Sequence, residues 1–421
     1  MAEADISPRD SSSEDLEVDP TPELVIINSS SNYKVGQKVT LELRHLMPQQ
    51  QVELNVTPDG VDIEYTTNLM GPTEGKRYIL VPRKYGGYKV TVDIKEPAED
   101  DDANRSINAV FIHVIPMGEL KLRVTGLPQQ VQLPRDVLVD KSDLIVADGI
   151  RRRVIRVSMV QESEQEEYMV PSENFSPIGL AMKRDTTSEE NNELYVTDLT
   201  NACVHVFHGP HKLLESFGKN VLKRPTGIAI DDDGFIFVAD HEAKRIFQFS
   251  PDYELVNDDT PHLLSGPQLM TIHKTVSSFG AESSTLLVAN RTESKVSLFN
   301  IQQPTEGEPH KKLVHITDLK IDIDALSCKF VMPFSVACDP DGHIFIAGQV
   351  MTQNGERKGF IWFKDMNSSL FGGSKMIDWS FGGGLRNPGG MRIVEEVDGR
   401  YLYITDMRGK NANNCINKYL L

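Results

Sequence analysis

Six segments of this chain open on a proline and then run alike, and no other feature limits its possible folds so much. They are LPRDVLVD at 133, SPIGLAM at 176, RPTGIAID at 224, GPQLMTI at 266, MPFSVACD at 332 and NPGGMRIV at 387. Behind each comes a second apolar run that ends in two small or polar residues: LIVAD (144–148), LYVTD (194–198), IFVAD (236–240), LLVAN (286–290), IFIAG (344–348) and LYITD (402–406). Five residues past the terminal Asp or Asn stand Arg153, Cys203, Arg245 and Lys295, each followed by Val or Ile and a third apolar run. The period is 40 to 65 residues. A unit of short strands and Gly/Asp turns cannot bury both its faces alone, so it stacks on its neighbours around a ring. The sixth copy reaches the last residue after three strands, and LKLRVTGL (120–127), ahead of the first copy, is placed to supply the fourth. Such a closure ties first unit to last and removes a free sheet edge. The expectation for 117–421 is a six-bladed β-propeller, and for the whole chain an all-β fold.

Residues 24–116 read differently. ELVIIN, KVTLEL, QVELNV, VDIEY, RYILV, YKVTVDI and INAVFIHVI alternate apolar and polar positions between turn signals such as Pro58-Asp59-Gly60 and Gly86-Gly87. Seven short strands of this kind predict a β-sandwich whose alternate side chains share one core. No cysteine precedes Cys203, so no disulfide pins it. Residues 1–23 hold eight acids against Arg9 and almost no large apolar side chains, so they are expected to be a disordered acidic tail. Ser11, Ser12 and Ser13 stand just before Glu14 and Asp15, a context that suits an acidophilic kinase as well as a solubilising tail.

The string RPTGIAIDDDGFIFVADHEAKRIFQFSPD resembles an NHL repeat over its whole length, and the other five copies are looser versions. GGYKVTV, then a variable loop holding the acidic block 98–102, then a long final strand, resembles a filamin-type repeat. A filamin-type domain directly before an NHL propeller resembles the C-terminal half of the tripartite-motif NHL proteins, over roughly 24–421. Those proteins begin with a RING, B-boxes and a coiled coil. Here Cys203, Cys328, Cys338 and Cys415 form no CxxC pair, which excludes those fingers from this chain. The ubiquitin-ligase activity that resides in the family's RING therefore does not transfer with the resemblance. The four cysteines are expected to be free thiols in a cytoplasmic protein, and no apolar run is long enough for a membrane span.

The densest carboxylates, Asp231, Asp232, Asp233 and Asp240, invite a metal reading. A calcium loop with Gly234 at its sixth position would start at Ala229, inside an apolar strand, so the triplet is read as a hairpin turn. Asp240 recurs as Asp148, Asp198, Asn290 and Asp406, which marks an architectural residue accepting backbone N–H groups of the following loop. Arg245, with Arg153 in the equivalent place, is expected to pair with that carboxylate across the loop. His205, His208 and His211 fall on a strand and a turn, where the first two point to opposite faces, and no carboxylate accompanies them in the sequence. There is no GxSxG, HExxH or Walker loop. The expectation is no catalytic residue, no metal and no cofactor. His241, Asn201, Asn290 and Asn413 are the loop groups that a propeller lyase or hydrolase, the third reading, would use.

Charge is where the copies differ. The loops after each second strand and those between copies share one face of a propeller. They carry Arg151, Arg152, Lys219, Lys223, Arg224, Lys244, Arg291, Lys329, Arg357, Lys358, Arg386, Arg408 and Lys410, against Glu173, Glu242, Glu293 and Glu356. One face is then net positive by nine on a chain of net charge -17. A focused basic face attracts anions despite the adverse total. The first reading is an adaptor that binds an acidic segment of a protein partner there, as the substrate-binding half of a tripartite-motif NHL ligase would. The alternative is RNA, for which the loops offer few stacking aromatics (Phe175, Phe330). The sequence leaves the oligomeric state open.

Overall fold

A computed structural model describes the chain from Pro22 onward, except residues 29–32, 47–50, 58–60, 70–74, 96–103, 107–108, 117–118, 125–130, 161–164, 171–172, 186, 189–190, 258–259, 261–263, 277–279, 281, 305–309, 322–327, 366–374, 378–384 and 408–414. The tail expected at 1–23 (but for its last two residues), the three tail serines, the acidic block 98–102, and Arg408, Lys410 and Asn413 lie outside the described residues. Nearly every described element is a strand; Arg291–Glu293 forms a single 3-10 turn. The chain divides into two compact units, Met1–Val114 and Ile115–Leu421.

The first unit holds β1 (Glu23–Ile26), β2 (Tyr33–Lys34), β3 (Val39–Arg44), β4 (Gln51–Thr57), β5 (Val61–Leu69), β6 (Gly75–Pro82), β7 (Gly86–Lys95), β8 (Asn104–Ser106) and β9 (Val110–Ile115). One sheet has the order β1-β3-β6-β5; the other runs β2-β9-β7-β4, with β8 paired to β7. Leu41, Leu43 and Leu80 from the first sheet and Tyr88, Val90 and Ile112 from the second share one buried cluster. Alternation along each strand puts these side chains on the inner face.

In the second unit, four-stranded antiparallel sheets follow one another. They are β11 (Pro134–Asp140) to β14 (Gln165–Glu167), with β12 (Asp143–Asp148) and β13 (Arg153–Ser158) between; β15 (Pro177–Lys183), β16 (Glu193–Asp198), β17 (Cys203–His208) and β18 (Leu213–Phe217); and β19 (Pro225–Ile230), β20 (Ile236–Asp240), β21 (Arg245–Phe249) and β22 (Leu255–Asn257). Then come β23 (Pro267–Val276), β24 (Glu282–Asn290), β25 (Lys295–Gln302) and β26 (Lys312–Lys320); and β27 (Cys328–Cys338), β28 (His343–Thr352), β29 (Arg357–Asp365) and β30 (Lys375–Ile377). In the last sheet, β31 (Pro388–Glu396), β32 (Gly399–Asp406) and β33 (Cys415–Leu420) are completed by β10 (Glu119–Val124), which pairs with β33.

The first strand of each sheet packs against the first strand of the next, and β31 returns to β11, so these strands line a closed ring. This is a β-propeller. Five of the six first strands begin at their proline, set opposite the last residue of the second strand, as in Pro225 with Asp240, whereas in β27 Pro333 lies within the strand opposite Gly348; register slips just after the proline. Proline at a strand's first residue removes an N–H that the ladder does not need there. Close approach at the axis is what the following small residues allow. A Cβ on Gly227 would meet the Gln268 carbonyl oxygen at 2.3 Å, and one on Gly179 the Thr226 oxygen at 2.3 Å.

The fifth sheet departs from the repeat. Its second strand has Gly348 where others have Asp or Asn, and the ladder runs on to pair Gln349 with Gly359 and Met351 with Arg357. The loop expected at 349–358 shrinks to 353–356, and Lys329, Arg357 and Lys358 stand on strands. With no carboxylate to capture backbone N–H groups, nothing ends the ladder early.

Candidate functional site

The residue that ends the second strand is fully buried in five of the sheets: Asp148, Asp198, Asp240, Asn290 and Asp406. The Asp240 carboxylate accepts from the backbone N–H groups of Lys223 (2.7 Å), Arg224 (2.9 Å), Glu242 (3.1 Å) and Ala243 (2.8 Å). It thus holds the loop that enters its sheet and the loop after the strand together. Asp148 does the same with Gln132, Leu133, Ile150 and Arg151, and Asp198 with Ser176, Thr200 and Asn201. Asp406 accepts from Arg386 and Asn387. Asn290 Oδ1 accepts from Ser265, while its amide donates to Glu293. Four residues on, Arg152, Ala202, Lys244 and Ser294 all turn left-handed, with φ between 49 and 58°. Two bases expected to act only as ligand contacts, Arg152 and Lys244, therefore also complete the turn.

Several expected bases are occupied. Arg152 donates to the Glu173 carbonyl and the Asn174 side chain, at 3.1 and 3.3 Å. Lys358 lies 3.2 Å from Glu356. Pairing of the fifth-position base back onto the strand-end carboxylate is not what the described ion pairs show. Arg153 reaches outward to Glu167 on β14 at 3.3 Å, and Lys295 to Asp318 on β26 at 2.8 Å. The Asp240 carboxylate is engaged by backbone N–H groups, and the strand ladder sets Arg245 opposite Asp240. The side chains of Arg151, Lys219, Lys223 and Arg386 are exposed.

Four further arginines stand on or beside strands. Arg135 follows Pro134 on β11, Arg224 precedes β19, Arg291 follows β24 and Arg357 opens β29. These positions belong to four different sheets. Arg135 and Arg291 are half-buried, and Arg224 and Arg357 are exposed. Burial, then the charges of Arg291 and Arg224, hold the Arg135 guanidinium below its ordinary pKa. Arg291 is lowered by burial, then by Arg357 and Arg224. His241 is pushed down by burial, then by Arg224 and Arg291, and its Nδ1 lies 2.9 Å from Gln268 Nε2. Arg291 also stacks over Phe334, 5.0 Å from the ring centre. Among the described residues none of these four arginines has a carboxylate within ion-pair distance, and Arg135 Nε is buried without a partner. Arg135 is the member that the loop count missed, because it stands on a strand.

Two clusters each bring three potential metal ligands together, the first buried and the second with an exposed member, Asp341. Asp198, Cys203 and His205 bring ligand atoms together, as do Asp339, Asp341 and His343. His205 has the carboxylate that the sequence did not reveal, with Nε2 3.2 Å from Asp198 and Nδ1 2.8 Å from Ser216 Oγ. Asp198 is already filled by backbone and Asn201 donors. Cys203 is pushed up to about 11 by burial and then by the Asp198 charge, which keeps it a thiol. In the second group the Arg400 guanidinium supplies the cation, 2.7 Å from Asp339 and 2.8 Å from Asp341. The aspartate triplet is a turn: Gly234 has φ 83°, and Asp231 Oδ1 accepts from Asp233 and Phe235 at 3.0 Å each. Lys311 neutralises Asp231 and Asp233, and Lys274 pairs with Asp232. Phe175 is buried against His205, and Phe330 is half-buried on β27, so neither is a free stacking platform.

The NHL repeat family matches residues 222–249, the stretch that holds Arg224, Asp240, His241 and Lys244. No curated protein sequence matches the chain at a significant level. Among solved structures, a protein of unknown function from Bacteroides thetaiotaomicron is similar over 96% of this chain and 99% of its own, at 12% identity and a TM-score of 0.49. A catalytically inactive virginiamycin B lyase from Staphylococcus aureus with quinupristin covers 88% of this chain and 99% of its own, at 11% identity and a TM-score of 0.45. The PQQ-bound aldose sugar dehydrogenase of Streptomyces coelicolor covers 72% and 98%, at 13% and 0.46. Likeness at this level carries nothing about activity or ligand. The chain is a β-propeller protein with an NHL repeat, a fold compatible with protein binding. Among the described residues no helix is long and apolar enough to cross a membrane.

Proposed function

We propose that this chain is a non-catalytic recognition protein whose propeller takes an acidic segment of a protein partner at its axial mouth. One observation carries the reading: Arg135, Arg224, Arg291 and Arg357 stand on or beside strands of four sheets, and among the described residues none has a neutralising carboxylate. Gathering like charges in a half-buried place costs stability, and an anionic ligand relieves it. Residues 24–116 are read as a filamin-type sandwich and 117–421 as a six-bladed NHL propeller, in the manner of the C-terminal half of tripartite-motif NHL proteins. The shared core of two sheets and the closed ring support this. The role is that of a cytoplasmic adaptor in a ubiquitination pathway, with ligase activity supplied by partners. A protein partner is favoured over RNA because Phe175 is core and Phe334 lies beneath Arg291, which leaves bases little to stack on.

Proximity labelling with the wild-type chain and with Arg224→Glu/Arg291→Glu tests it. Loss of a discrete set of labelled proteins, with the melting temperature retained, is the expected result. An unchanged set would mean that the mouth is only a solvated rim, and crosslinked RNA in place of protein would transfer the site to the other ligand class.

A further inference from the structure

At the end of β12 away from Asp148, a cavity of about 290 Å³ opens between the first and second sheets of the ring. Asp140, Arg156 and Tyr168 line it on the side of the first sheet, and Met182, Asn192 and Leu194 on the side of the second. Arg156 is clamped by Asp143 at Nε (2.7 Å) and by Asp140 Oδ2 at Nη2 (3.0 Å). The Tyr168 ring stands edge-on to Phe207, 5.4 Å between ring centres. Asn192 Oδ1 accepts from the Asp185 N–H at 3.0 Å. Three polar groups of this wall are left over: Asp140 Oδ1, the Tyr168 hydroxyl proton and the Asn192 amide have no protein partner among the described residues. Asp140 and Tyr168 are only 6% and 3% exposed. What satisfies them enters through the cavity.

We propose that this cavity binds a small neutral polyhydroxy molecule, a monosaccharide or cyclitol of a single ring. It stands at the opposite ends of the strands from the basic loops, and the inference does not rest on the recognition reading above. A hydroxyl both donates and accepts. Adjacent hydroxyls of one ring therefore suit a wall that offers an acceptor at Asp140, a donor at Asn192 and a hydroxyl at Tyr168. Burial pushes the Tyr168 phenol up to about 12, against the pull of Arg156, so it keeps its proton for donation at neutral pH. Charge argues against an ionic ligand. Asp140 and Asp143 are matched by Arg156 and Lys141, and these four leave the wall without net charge. A phosphate or an ammonium would give up its hydration there with no uncommitted counter-charge to meet it. Met182 and Leu194 provide an apolar side for the C–H groups of the ring. Small-ligand pockets hold roughly 300–1,000 Å³, and a volume at the bottom of that range limits the occupant to one ring.

The test is an NMR titration of the full chain carrying carbon-13 in its methionine methyl groups, with the Met182 signal assigned by its loss in Met182→Leu. D-glucose, D-galactose, D-mannose and myo-inositol are added to millimolar concentration, with L-glutamate, inorganic phosphate and putrescine as charged comparators. At least one of the neutral compounds is expected to shift the Met182 signal saturably, and which of them does so separates a hexose from a cyclitol. Tyr168→Phe keeps the ring against Phe207 and removes only the hydroxyl. It should weaken that binding about threefold to tenfold, the ratio for one lost hydrogen bond. Lys223→Ala, among the basic loops, should leave it unchanged. The melting temperature of each variant is measured, and Asn192→Ala, at a half-buried position, decides the matter if Tyr168→Phe is unstable. Absence of a Met182 shift with every neutral compound would overturn the proposal. So would a compound that binds Tyr168→Phe and Asn192→Ala as tightly as the wild type. A charged comparator that shifts Met182 at lower concentration than any neutral compound would overturn the ligand class. None of these outcomes alters the partner labelling expected of the basic face, so the two readings fail separately.

Discussion

Asp240 shows how much one side chain can organise in this fold. Fully buried, its carboxylate satisfies four backbone N–H groups from two loops. Truncation to alanine strands those donors away from water, and charged hydrogen bonds of this kind are worth about 1.5–3 kcal/mol. Asp240→Ala should therefore destabilise the propeller by about 3 kcal/mol or more, read as a lower urea midpoint. Asp240→Asn, which imitates Asn290, keeps an acceptor oxygen and should cost less than half as much; equal losses would mean that the negative charge, not the acceptor geometry, does the holding. The strand-end residue was legible in the sequence because it recurs. Arg135 was not, since the place after each proline is Arg, Ile, Thr, Gln, Phe or Gly in turn and leaves no periodic trace. The contact of His205 with Asp198 was hidden for another reason. It depends on a register that sets Val196 opposite His205 and Asp198 opposite Cys203, which puts the two on one face of neighbouring strands.

At the scale of the element, β10 is a strand that works far from its neighbours in sequence. It pairs with β33 from Glu119 opposite Leu420 to Val124 opposite Ile416. Its contribution was foreseeable because the last copy of the repeat lacks a fourth strand and an apolar segment stands ready before the first. The extension of β27 and β28 was less so. An apolar run does not say where a ladder stops; the cue was Gly348 in the place of Asp, which removes the acceptor that ends the strand elsewhere. Five register pairs tie β10 to β33, and a net worth of about 1 kcal/mol for each hydrogen bond gives about 5 kcal/mol in all. A chain starting at residue 115 should fold, with the far-ultraviolet spectrum of an all-β protein and a sharp urea transition. One starting at 128, with β33 left as an open edge, should lose most of that stability and self-associate in sedimentation. Equal midpoints for the two would show that β10 is not the closing strand of the ring.

For the whole molecule, closure decides how damage is distributed. In an open stack two neighbours can separate to make room for an added atom. In a ring, widening one interface strains every other, so the small residues beside the axis are held to their size. A Cβ added to Gly227 would sit 2.3 Å from the Gln268 carbonyl oxygen and 3.0 Å from the Leu269 Cα. Both are backbone atoms of β23 and cannot rotate away. Gly227→Ala should cost about 2–4 kcal/mol, at or above the upper part of the range for overpacking. The two compact units each have a core of their own, so thermal unfolding should resolve into two transitions. Gly227→Ala should lower the propeller's transition by roughly 4–16 °C, given about 2–4 °C per kcal/mol for large domains, and leave the sandwich's where it was. Differential scanning calorimetry of the full chain and its variant separates the cases. A common shift of both transitions would mean that the units unfold as one, and no shift at all would mean that the ring can open to accommodate the methyl group.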